Sequence, residues 1–500
     1  MGSPKRGLTL AAATLTALAL GATPALGDHD TYGTAEYGSG AGLEQLSLAP
    51  PMALGGPAEP APLGPGAGLS AGDSEDFNSN NFKRLDRDKI KIRAKRRAEG
   101  SDLAFQGRLM VAGTYQGTGL FRIHKRGVKQ LSFHRCPGAQ GDVTVLGDHV
   151  FVSIDTRSSN DARRPGCNDT PTNVSNNSEG KEGIRILDIS DRREPQQAGF
   201  VETECGSHTH TLIPGPTTSY IYVQSYPLSA DAECTEVNHP EGEISVISFP
   251  TDKPERAKVD GVVDILPPSV TPDTVGCHDL GVLPGEDLAA AACLGAFAIL
   301  DISDPASPET LSVVQNPAIE LDHSAQLTWD GKYAVIGDEH AGAAGGGGCS
   351  TDQSSPVGAM WFYDITDPAT PSLEGSYSLP RIPPVDSPDE AERFRCTTHN
   401  YEVLPMRNPD RYVAVSPYYS GGLSIVDFTD PSAPEERGYY IPQVKGKNPD
   451  MWSGYWYRGR IYTNEHASKL GVSVFKANGF GTRQVRDLGV RLNPQTQILP

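Results

Sequence analysis

From about residue 100 onward the apolar positions either alternate with polar ones or fall in short runs, and each run stops at a turn-forming pair. The clearest stretches are IRILDISDRREPQ (184–196), FAILDISDPASPE (297–309), MWFYDITDPATPS (360–372) and LSIVDFTDPSAPE (423–435). A looser copy is ISVISFPTDKPE (244–255), and two eroded ones are LFRIHKRG (120–127) and VSVFKANG (472–479). This is β rather than helical patterning, closed by Asp-Pro and Ser-Asp turns. The position held by Asp188 recurs as His124, Ser248, Asp301, Asp364, Asp427 and Lys476, at intervals of 64, 60, 53, 63, 63 and 49 residues. Seven copies at such spacing are an internal repeat.

Upstream of most copies lies a hairpin, such as HSAQLTWDGKYAVIGDEH (323–340) with Asp330-Gly331 at its turn, and downstream lies one more short strand. Four antiparallel strands per repeat are the plan of a propeller blade. The pattern therefore predicts an all-β chain, a seven-bladed β-propeller over residues 100–490 with a C-terminal tail at 491–500. The I-L-D-I-S-D-P-x-x-P phrase resembles the LVIVD repeat of secreted bacterial proteins, a likeness that implies the same seven-bladed fold and specifies little about function. The repeated Asp188, Asp301, Asp364 and Asp427 are expected to bond local backbone at their turns, because equivalent positions on separate blades do not meet.

The rest of the chain reads differently. Residues 1–27 combine Lys5 and Arg6 with an apolar run from Leu8 to Leu20 and the small-residue site Ala25-Leu26-Gly27, the form of a signal peptide cleaved after Gly27. Residues 28–99 read as a disordered Pro/Gly/Ala-rich linker with a basic end, FKRLDRDKIKIRAKRRAEG. That end is expected to be a solvated lead-in, with an anionic cell-surface polymer as the other reading. A formal charge of −19 over 500 residues argues against a nucleic-acid partner. Beyond the leader no apolar run is long enough to span a bilayer. A secreted, monomeric protein is expected, acting on a small molecule or an extracellular macromolecule.

In a propeller the first strands of all blades line the channel and start at one mouth. Four of them begin with histidine: HTHTLIP (His208), HDLGVLP (His278), HSAQLTWDG (His323) and HNYEVLP (His399). Second strands return to the same mouth, and two end in His340 and His466, while His210 lies two residues past His208. These seven residues are the candidate metal ligands, with Asp279, Asp322, Glu339 and Glu465 as carboxylates that could orient the imidazoles. Neutral imidazoles suit copper, zinc, iron or nickel, and copper or zinc is the expected ion. Two readings stay open beside it: a metal-free site with one histidine as acid or base, and histidines that merely cap turns against a neighbouring blade. The other three blades carry Ser101-Asp102, Gly141-Asp142 and Trp452-Ser453 there, which argues against a cap kept all round.

Selenium-binding-protein-like methanethiol oxidases are similar propellers with channel histidines and copper, which implies a metal-dependent oxidase. The alternative is an extracellular scaffold that binds a protein or polymer without catalysis. Eight cysteines in an exported chain imply disulfides. The propeller topology puts six of them on the histidine mouth, and the expected pairs are Cys136–Cys167, Cys205–Cys234, Cys277–Cys293 and Cys349–Cys396. The aromatic group Trp452, Tyr455 and Trp456 is expected to pack the last blade, with ligand stacking as the other reading. The Gly-rich stretch 341–352 does not lead a strand into a helix and reads as a loop, not a phosphate cradle.

Overall fold

A computed structural model describes residues 77–93, 96–138, 140–155, 182–203, 206–225, 242–267, 276–339, 349, 358–381, 383, 394–442, 449–466 and 470–498. Seven antiparallel sheets of at least four strands follow one another around a ring. Blade 1 runs Gly100–Gln106, Leu109–Thr114, Gly117–Ile123 and Val128–His134. Blades 2 to 6 begin with Val143–Leu146, Thr209–Ile213, Leu280–Leu283, Asp322–Leu327 and Glu402–Val403. The third strand of each blade is the repeat phrase: Gly183–Asp188, Phe297–Asp301, Met360–Asp364 and Leu423–Asp427 are four of them.

The sequence pattern follows from this packing. The inner three strands of a blade lie between two neighbouring sheets, so both of their faces are buried and they read as apolar runs. Fourth strands lie at the outer edge of the ring and are largely exposed, as in Lys258–Asp264. Each interface between adjacent blades holds its own apolar cluster, for example Val282, Ala298 and Leu300 between blades 3 and 4 and Phe151, Leu212 and Phe249 between blades 2 and 3. The pairing of third with fourth strand slips by one residue at equivalent places, at Ile186/Leu187, Ile299/Leu300 and Ile425/Val426 among others. Such bulges bend and twist the outer strand. The repeat aspartates behave as expected: Asp188, Asp301 and Asp364 each accept a backbone N–H two residues on at 2.8 Å, and Asp427 does so at 3.2 Å.

Two segments correct or add to the sequence reading. Residues 77–93 and 96–99 are not part of a disordered linker: Phe82–Asp88 is the outermost strand of blade 7, paired antiparallel with Val472–Ala477. Blade 7 is thus built from both ends of the propeller sequence, which closes the ring. Phe82 is buried against Phe475 and Tyr440. Lys91–Arg93 and Arg96–Arg97 form a small hairpin beyond it. The second segment is the tail, to which the sequence reading assigns bounds but no place in the fold. Val490–Arg491 pairs with Phe105 and Gln106 on the channel edge of blade 1, and the chain then crosses the channel. Leu492 O accepts from Val145 N–H, Thr496 Oγ1 donates to Leu212 O, Gln495 O accepts from Val282 N–H, and Gln497 bonds both backbone groups of Leu327. Arg491 reaches blade 6 through a buried ion pair with Glu402. All these contacts lie at the far ends of the first strands, so the tail plugs the channel opposite the histidines. Among the described residues no helix is long and apolar enough to cross a membrane.

Candidate metal centre

The start of each first strand is held in one register by the end of its second strand. His208, His278 and His399 donate their backbone N–H to the carbonyls of Gln224, Ala292 and Pro417 at 3.0, 2.7 and 3.1 Å. His323 sits where the pairing slips between Asp322 and Ser324, so it is the extra residue of a bulge. Neighbouring first strands are tied directly: Asp279 N–H donates to His323 O at 3.0 Å, Thr211 Oγ1 to Leu280 O at 2.6 Å, and Ser453 Oγ to Ser101 O at 2.7 Å. Equivalent positions on successive blades are thereby brought to one level of the channel.

The result is an arc of rings around the mouth. His208 lies 4.7 Å from His278 between centroids, His278 3.7 Å from His323, and His323 4.5 Å from His399. The arc continues from His399 to Trp452 at 4.5 Å, to His466 at 4.9 Å and to Tyr115 at 4.6 Å. All four first-strand histidines are buried. Burial, followed by repulsion from the next imidazole in the arc, pushes His208 and His278 well below the usual histidine range, so both are neutral and carry a lone pair.

Carboxylates sit where they can hold or orient these rings. Glu339 lies between two of them, its Oε2 3.2 Å from His323 Nε2 and its Oε1 3.7 Å from His399 Nε2, and it accepts the Tyr419 hydroxyl. Arg395 stacks over the Tyr419 ring at 4.0 Å. Asp279 Oδ1 is 3.7 Å from His278 Nδ1, and burial raises its carboxyl to about 6. Asp155 contacts His208 Nδ1. The Trp452 carbonyl accepts from His399 Nδ1 at 2.7 Å, which fixes that ring as the Nδ1–H tautomer and turns the Nε2 lone pair toward Glu339. Two sets can hold a metal ion with ligand atoms all within 4.8 Å of one another: His278, Asp279 and His323, and His323, Glu339 and His399. Both are fully buried. The thiol beside His278 is not a donor, because Cys277 is bridged to Cys293.

The other expected site residues divide. His466 belongs to the arc, but the Trp452 indole separates it from His399, and its Nδ1 faces Asp450 at 3.1 Å. Glu465 accepts the Asp450 backbone N–H at 3.1 Å. His210 points away from the arc to Ser153 Oγ at 2.8 Å and Asp142 at 3.1 Å. Asp322 shares its burial with Asp338 rather than with an imidazole. His340 lies outside the described residues, as do Cys167, Cys205, Cys234 and the Gly-rich residues 341–348. Of the expected disulfides, Cys277–Cys293 and Cys349–Cys396 are present, and Cys136 is disulfide-bonded. Tyr455 and Trp456 are buried, Trp456 in the core between blades 6 and 7, whereas Trp452 stands in the arc.

Three partners went unread in the sequence. Asp155 ends the second strand of blade 2, where the repeat reasoning looked only for histidine. Tyr115 and Tyr419 occupy the turns after second strands and carry no spacing signal. A further group lies beside the arc: the buried carboxyls of Asp102 and Asp142 neighbour each other, Tyr455 donates its hydroxyl to Asp102, and His210 donates its backbone N–H to Asp142 at 2.9 Å.

The LVIVD repeat profile matches residues 292–315 and 411–441, which cover third and fourth strands of blades 4 and 6. The chain therefore carries LVIVD repeats on a seven-bladed propeller. No curated protein matches it. Among solved structures it is similar to the β-propeller domain of Myceliophteria thermophila Cps50 (Swd1), at TM-score 0.47 and 10% identity over 76% of this chain and 97% of that one. A putative 6-phosphogluconolactonase from Bacteroides uniformis gives 0.47 and 12% over 77% and 93%. A functionally unknown protein from Desulfotomaculum acetoxidans gives 0.43 and 9% over 70% and 88%. Similarity this low carries no inference about activity. The likeness to methanethiol oxidases finds no support in these matches.

Proposed function

We propose that this propeller is an exported metalloprotein that binds one transition-metal ion at the histidine mouth, through His278, His323 and His399 with Glu339 or Asp279. The observation that carries the reading is the convergence of imidazoles from four successive blades into one buried arc with a carboxylate between two of them. A nitrogen and oxygen donor set without thiolate suits copper or zinc. The two disulfides are compatible with an extracellular setting. With the far mouth plugged by the tail, a small-molecule substrate would have to reach the ion from the histidine side. A bound ion would act as Lewis acid or redox centre, and metal-dependent oxidation is the activity we would assay first.

Elemental analysis of natively exported protein tests this. About one equivalent of a single transition metal is expected in the wild type, with most of it lost in His278→Ala and His399→Ala variants that keep the wild-type circular dichroism. Unchanged, substoichiometric metal in all three proteins overturns the metal reading and leaves a scaffold. Once metal is established, oxygen uptake with candidate reductants decides between an oxidase and a non-redox centre.

A further inference from the structure

The third strand of each blade ends on the face opposite the histidines, and the repeat places a carboxylate there. Across the sheet, the residues level with that position are Leu288, Asp301 and Glu309 in blade 4, and Val413, Asp427 and Glu435 in blade 6. Blade 7 inverts the charge. Lys476 stands at the aspartate position and pairs directly with Lys83 of the closing strand. The pairing of Ile461 with Phe475 puts Arg460 opposite Lys476 on its other side. Three cations thus lie in one cross-strand row, an arrangement that is destabilising unless something neutralises it. It occurs on a chain whose formal charge is −19.

In blade 6 the corresponding charge is balanced. Arg411 makes two bonds to Asp427, at 3.0 and 2.8 Å. Asp427 is the carboxylate whose counterpart in blade 7 is Lys476. Arg460 accordingly has no carboxylate partner among the described residues, and its Nε is buried without a hydrogen-bond acceptor. Beside the row is a cavity of about 370 Å³ lined by Arg458, Arg460, Lys476 and Arg483, with the amides of Asn478 and Gln484. None of the lining residues is acidic. Asp487 meets only the edge of the cleft, its carboxylate 3.7 Å from Arg458. Four cations and the NH2 groups of two amides around a ligand-sized cleft form a donor-rich surface, the complement of a tetrahedral oxyanion.

We propose that this cleft on blade 7 binds an organic phosphate or sulfate ester. The site is on the opposite face from the histidines and does not depend on the metal reading. Phosphate and sulfate esters present the same oxygen geometry, and the experiment separates them. Isothermal titration of the full chain at low ionic strength would use phenyl phosphate, phenyl sulfate and, as an uncharged control, benzyl alcohol. Saturable binding is expected for at least one ester and none for the alcohol, and the tighter ester assigns the class. Lys476→Asp, which reinstates the repeat's own residue, and Arg483→Gln should each weaken binding by about tenfold or more. Both side chains are exposed, so the variants should keep the wild-type fold. His278→Ala should bind the ester like the wild type. Absence of saturable binding for both esters, or equal affinity in wild type and Lys476→Asp, overturns the proposal.

Discussion

Buried ionisable groups are the feature of single residues that matters most here. Among the described residues no Lys or Arg pairs with Asp102 or Asp142, and burial raises both carboxyls, Asp142 to about 7 from 3.8. A carboxyl that the fold keeps neutral stabilises fully below its unfolded value, and that contribution is gone once pH has risen through about 7. His208 and His278 act with opposite sign: folding keeps them neutral, so their penalty appears as pH falls below the unfolded histidine value. Asp142→Asn removes the Asp142 part of the first effect and leaves Asp102 and the two histidines in place, and its amide oxygen can still accept the His210 N–H. Between about pH 5 and pH 7 the wild type should therefore lose roughly 1 kcal/mol per pH unit relative to Asp142→Asn. Calorimetric unfolding of both metal-free proteins across that range measures it, and parallel curves would show that Asp142 does not hold a proton in the fold. The histidines themselves were legible because the repeat supplies a register, and identical residues in one register stand out. Asp142 and Asp155 were not, since a lone Asp near a strand end also has an ordinary role in turns.

At the level of elements, the third strands could be read directly from sequence, because burial on both faces leaves an uninterrupted apolar run followed by an Asp-anchored turn. The closing strand could not. Phe82–Asp88 covers the outer edge of blade 7 and keeps only Phe82 fully buried, so FKRLDRD shows charge where strand patterning is sought. The tail was missed for a related reason. Its residues bond to the edges of first strands through backbone, Thr496 and Gln497, and hydrogen bonding of that kind leaves no apolar periodicity. Its one buried ion pair makes the tail's role measurable. Glu402 is raised by burial despite the neighbouring Arg491, and it also accepts the Trp456 backbone N–H at 2.6 Å. Arg491→Met leaves that carboxylate buried without a counter-charge and should cost roughly 3–5 kcal/mol. Adding Glu402→Gln should recover most of the loss, because glutamine still accepts from Trp456. A double variant no more stable than Arg491→Met would mean that the guanidinium acts through packing over Trp329, 5.2 Å away, rather than through charge.

For the whole molecule, ring closure and metal binding are coupled by geometry. His208 and His399 are far apart in sequence and are separated by three interblade interfaces, yet one arc joins them. An ion held by His278, His323 and His399 would tie blades 4, 5 and 6 together at one mouth, as the tail ties blades 1 to 6 at the other. Ligand that binds only the folded state adds about 2.7 kcal/mol at a hundred times its dissociation constant. If the ion bridges blades, that gain should be spatially uneven. Hydrogen exchange should slow on adding metal at the backbone groups beside His278, His323 and His399, and remain unchanged near Phe82 and Lys476 on blade 7. Removal by chelator should reverse the pattern, and His323→Ala, which lacks the residue common to both ligand sets, should show neither change. Uniform slowing over all seven blades would instead point to adventitious binding or general stabilisation, and the histidine arc would then be a packing device between blades.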